Sequence, residues 1–60
     1  MYQFINGNME FISGRNGKYI LTENKVFGYV FSLEEAQEKL MFFNNLFKCN
    51  FLIVEYSKGK

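Results

Sequence analysis

Sixty residues with a net charge of +1 leave room for one domain and remove the whole-molecule field that would draw a chain to nucleic acid or acidic lipid. A chain this short hides only about 60% of the surface its unfolded form exposes, and its usual supports are missing: Cys49 is the lone cysteine and there is no histidine, which excludes an internal disulfide and any common zinc site. Yet aromatic residues make up 20% of the sequence, eight Phe and four Tyr, more apolar bulk than so few residues can enclose, so the composition predicts a homodimer that buries the surplus.

The opening residues Met1 to Asn6 lack the basic start and long apolar run of a signal peptide, and no stretch approaches the ~20 apolar residues of a membrane span. A cytosolic protein with Cys49 kept reduced is expected.

In chain order, Tyr2 to Ile5 predicts a short strand, and Asn6-Gly7 a two-residue type I′ hairpin turn, because both central positions of that turn need positive φ. Met9 to Ser13 is the returning strand. A second Asn-Gly, in Gly14-Arg15-Asn16-Gly17, leads into Lys18 to Thr22, and Glu23-Asn24-Lys25 turns the chain into a fourth strand, Val26 to Phe31. Three turns separating four short runs predict an antiparallel meander. With a two-residue loop at Glu23 to Lys25, one face carries Tyr19, Leu21, Val26, Gly28 and Val30, and the other Lys18, Ile20, Thr22, Phe27, Tyr29 and Phe31. The helix is expected on the first, where Gly28 permits a close approach.

Ser32 followed three residues later by Glu35 is a capping box, so a helix starts here, with Glu34, Glu35 and Glu38 toward the positive end of its dipole and Lys39 and Lys48 toward the negative end. Leu33, Ala36, Leu40, Phe43 and Phe47 fall on one stripe and form its core face. Met41 and Phe42 lie outside the stripe and Leu46 at its margin; they are either a partner surface or ordinary surface apolars.

After a turn near Lys48-Cys49-Asn50, Phe51 to Tyr56 is the strongest strand in the chain, and its unbroken apolar start reads as a strand covered on both faces. Ser57 to Lys60 read as a frayed tail. A right-handed crossover through the helix makes the fourth and last strands parallel. The fold class is thus α+β: about four meander strands, one helix packed on the sheet and a C-terminal strand, in the order ββββαβ, as a single domain over residues 1–60. The last strand has the sequence of a central strand but can be added only at an edge. Either the meander splits to admit it, or a second molecule covers it.

No catalytic set emerges, and no enzyme activity or cofactor is expected. Glu34, Glu35 and Glu38 are accounted for by capping and the helix dipole. Cys49 has no histidine to act as its base and reads as a small apolar residue at a turn. The Gly14 to Gly17 loop is not followed by a helix, so the physics of a phosphate-binding loop is absent. What remains is partner binding, with Lys18, Phe27, Tyr29, Met41, Phe42 and Leu46 as its candidate residues. Lys18, Phe27 and Tyr29, with Arg15 and Lys25 at nearby loops, share a sheet face in this reading and are either a stacking platform for single-stranded nucleic acid or part of a core or dimer interface. The second is favoured, since seven cations spread along a near-neutral chain bind polyanions poorly. The expected function is a small protein-binding module acting as a homodimer. Its size and AT-rich style of composition suit a phage or mobile-element accessory protein that inhibits a host enzyme or defence system by occlusion.

Overall fold

The computed structural model describes residues 1–57; the expected tail lies outside these residues from position 58 onward. Strands β1 (Tyr2–Ile5), β2 (Phe11–Arg15), β3 (Lys18–Thr22) and β4 (Leu52–Glu55) form one antiparallel sheet in the order β3-β2-β1-β4, and helix α1 (Leu33–Phe47) packs across it. The α+β class, the helix and the C-terminal strand stand as the sequence implies.

The two Asn-Gly pairs behave differently. Asn16 and Gly17 take φ 54° and 77°, a two-residue loop that sets Arg15 opposite Lys18. Asn6-Gly7 does not form the same turn. Asn6 instead uses its side chain, its Oδ1 accepting the N–H groups of Asn8 and Glu10, and the Met9 N–H donates to the Asn6 carbonyl at 3.1 Å. The result is a three-residue loop, Gly7 to Met9, with the left-handed position falling on Met9 at φ 62°.

Val26 to Phe31 is not a strand. Asn24 caps a 3-10 turn, Lys25–Phe27, by accepting the Val26 N–H on its Oδ1 at 3.0 Å, and this winding takes the chain out of the plane of the sheet. The turn lies across the face opposite the helix, where two buried polar side chains hold it: Gln3 Nε2 donates to the Lys25 carbonyl at 2.8 Å and Ser13 Oγ to the Phe27 carbonyl at 2.6 Å. From there the chain passes through the sheet. β1 and β2 pair only beside their loop, Ile5 opposite Phe11, and residues 29–31 fill the gap beyond. The Tyr29 N–H donates to the Ile12 carbonyl, and Phe31 and Tyr2 exchange both backbone bonds at 2.8 Å.

This passage corrects the predicted faces. Tyr19 and Leu21 do lie on the helix side, but Val26, Gly28 and Val30 belong to the far side, while Tyr29 and Phe31 reach the helix side. It also removes the parallel crossover: with no fourth strand to pair with, β4 returns beside β1 and runs antiparallel to it, Phe4 opposite Ile53. The meander splits as one alternative held, but the segment admitted is 29–31, not the last strand. β4 is an edge strand, with Leu52 exposed.

The core follows from this path. Phe4, Ile12, Phe31, Ala36, Phe43 and Phe51 are buried, with Tyr2, Leu21, Leu40, Phe47, Cys49 and Ile53 packed around them. Phe4 sits at the centre, its ring edge-to-face with Phe31 and Phe43 at 5.2 and 5.1 Å, contacts that add to burial. Of the predicted helix stripe, Ala36, Leu40, Phe43 and Phe47 face inward, whereas Leu33, in the first turn, is 44% exposed. Ser32 caps the helix, its Oγ accepting the Glu35 N–H at 3.1 Å. Lys48 in the left-handed conformation ends it, and Asn44 Oδ1 accepts the Phe51 N–H at 2.8 Å to aim the chain into β4.

Met9 is exposed and occupies a conformation that disfavours side chains with a Cβ. Met9→Gly is expected to stabilise the fold by about 0.5 to 1 kcal/mol, raising Tm by a few degrees; a lower Tm in thermal unfolding would contradict the turn geometry.

Candidate protein-contact surface

Edge-to-face contacts carry the aromatic cluster from the core to the surface without a break. Tyr19 packs on buried Phe43 at 4.9 Å, and Phe42 on Phe43 at 5.2 Å. Tyr19 then meets Phe42 at 6.2 Å and Tyr29 at 6.1 Å. Tyr19, Tyr29 and Phe42 are 40%, 44% and 52% exposed. They form a strip along the flank of the domain, between β3 and the outer face of α1. Helical spacing continues it through Leu46, one turn beyond Phe42, and Met41 stands exposed beside it. Each of these rings is thus in contact with another ring while about half of its surface stays open to solvent.

The strip depends on Gly14. A Cβ at that position would overlap the Tyr29 hydroxyl and ring, so the missing side chain is what lets Tyr29 lie over β2 and reach Tyr19.

Lys18, Phe27 and Tyr29 are not assembled on one face. Lys18 and Tyr29 both line a concavity at the hairpin tip, with Gly17 and Tyr19. Phe27 lies on the far side of the sheet, in a trough shared with Ser13, Arg15 and Ile20. Lys25 extends the other way, its Nζ over the Tyr56 ring at 5.9 Å. The 3-10 turn separates the intended stacking rings and covers the middle of the face they were to share. Met41, Phe42 and Leu46, by contrast, are exposed together on α1. Sequence reasoning missed Tyr19 as a surface ring, because its strand face was assigned wholly to the core.

On the far side, Met1, Val26, Gly28, Val30 and Tyr56 line a groove of about 450 Å³. Cys49 is half-buried against the core. Among the described residues no helix is long and apolar enough to cross a membrane.

Comparison of the chain with protein-family models, with curated proteins and with solved structures finds no match.

Gly14→Ala is expected to swing Tyr29 off Tyr19, losing about 1 to 3 kcal/mol and changing the tyrosine near-UV circular dichroism. In a Tyr29→Ala background the same change should have little effect. Equal losses in both backgrounds would show that Gly14 and Tyr29 are not in contact.

Proposed function

We propose that the protein is a non-enzymatic, protein-binding module that works as a homodimer and acts on a larger protein by covering part of its surface. The observation that carries this reading is the strip of exposed rings: Tyr29, Tyr19 and Phe42 are ordered by contacts with one another and with the core, yet about half of each remains open to solvent. Rings held in place lose little further freedom on association and bring large apolar area, which is why aromatic residues dominate contact energetics at interfaces.

The exposed strip is matched by a small core. Six apolar side chains are buried among the described residues, while Phe27, Phe42, Met41, Leu46, Val26 and Leu52 are each close to half exposed or more. A single copy leaves this area in water; a second copy and a partner protein would remove it. Tyr19 and Phe42 border β3 and suit contact between copies. Met41, on the side of Phe42 away from Leu46 and the most exposed of the three, suits a second protein. Occlusion of this kind is how a small accessory inhibitor of phage or mobile-element type would act.

Light scattering at micromolar concentration is expected to give twice the 7.1 kDa chain mass for the wild type, and a mass close to the single chain for Phe42→Glu with its far-UV spectrum retained. The wild type running at 7.1 kDa would contradict the dimer. Met41→Glu is expected to remain dimeric while losing a protein that wild type retains from an extract of its native host.

A further inference from the structure

β3 ends the sheet, and its free side has a definite pattern. In the two-residue Asn16-Gly17 loop the closing residues Arg15 and Lys18 exchange backbone hydrogen bonds. Ser13 with Ile20 and Phe11 with Thr22 follow at the same parity. Ile12 fits this assignment, since its carbonyl turns away from β3 to accept the Tyr29 N–H. The N–H and C=O groups of Tyr19 and Leu21 therefore point outward from the sheet.

We infer that two copies join by antiparallel pairing of β3 with β3 about a two-fold axis at Ile20, making one eight-stranded sheet; the inference rests on the homodimer proposed above. This register sets Tyr19 opposite the partner's Leu21, Ile20 opposite the partner's Ile20, and Lys18 opposite the partner's Thr22. It is the register in which all five residues of β3 are paired, and the outward groups of Tyr19 and Leu21 satisfy one another in four hydrogen bonds. The axis stands perpendicular to the sheet, so both helices lie on the same side and the two Tyr19–Phe42 strips flank the seam. A strand edge by itself is a small contact, and these rings widen it into an apolar one. The single charge on β3, Lys18, lies at the end of the strand opposite a threonine, where its ammonium reaches water.

The other free edge is guarded. Pairing β4 with itself about Val54 would set Glu55 one residue from the axis, beside the partner's Ile53, a charge near the middle of the seam of the kind that discourages edge pairing. The exposed rings also lie at the far end of the sheet from β4, beside β3.

The test is disulfide trapping in a Cys49→Ser background. Residues facing each other as a non-hydrogen-bonded antiparallel pair have Cα atoms about 4.5 Å apart, within the roughly 4.4–6.8 Å that a disulfide spans. Ile20→Cys is therefore expected to become a covalent dimer in an oxidised-glutathione buffer, with the two thiols giving up two protons and two electrons to one glutathione disulfide. Val54→Cys, the equivalent position for the β4 edge, should stay largely monomeric on a non-reducing gel. If Ile20→Cys does not fold, Lys18→Cys/Thr22→Cys puts thiols on the same face at the outer pairs of the seam. A dimeric mass with no cross-link through β3, or with faster cross-linking through Val54→Cys, would overturn the β3 seam while leaving the homodimer standing. A wild type at 7.1 kDa would remove both.

Discussion

The structure depends on the gap between β1 and β2 being filled by residues 29–31. Two neighbouring strands that part after a single pair leave backbone donors and acceptors facing a void, and unpaired buried peptide groups are costly. Here Tyr29 meets the carbonyl of Ile12 and Phe31 meets both groups of Tyr2, so the passage of the chain from one side of the sheet to the other also gives these groups their partners. The same passage delivers Phe31 into the core against Phe4 and leaves Ser32 at the surface to start the helix. Gln3 and Ser13 fix its beginning on the far side through the carbonyls of the 3-10 turn. Two polar residues buried in a sheet are thereby accounted for, each with its partner.

That route decides which apolar residues are enclosed. Side chains alternate along residues 28–31, with Gly28 and Val30 on the far side and Tyr29 and Phe31 on the helix side. Only Phe31 is carried to the centre. Tyr29 stops at the rim, over Gly14, and extends the ring contacts of Tyr19 and Phe42 outward. The core and the exposed strip are thus one aromatic cluster seen at two depths, and the proposed contact surface is a continuation of the packing that holds the monomer together. Three of the exposed rings thus share one place, on the flank beside β3, while Phe27 lies apart on the far side.

Local signals in the sequence were readable where one residue's physics decides the outcome. Ser32 with Glu35 gave the helix start, the spacing of Ala36, Leu40, Phe43 and Phe47 gave its inner face, and Asn16-Gly17 gave the hairpin. Met41, Phe42 and Leu46 followed from the same helical spacing and are exposed together. Val26 to Phe31 misled because its alternation of small and aromatic residues is real, yet belongs to a segment crossing the sheet and not to a strand lying in line. Asn24, read as a turn residue, is the cap of a 3-10 turn. Gln3 and Ser13 look in sequence like ordinary solvent-facing strand positions, and nothing local announces that a loop will fold over them. The same long-range event separated Phe27 from Tyr29, so a site inferred from shared strand parity could not survive it.

Native-state hydrogen exchange by NMR tests the central feature most directly. The amides of Tyr29 and Phe31 are expected to exchange as slowly as those of β1 and β2, while the amide of Val30 between them, with no backbone partner among the described residues, exchanges fast. Rapid exchange at all three positions, with Tyr2 and Phe4 protected independently of them, would contradict a sheet held together by this segment.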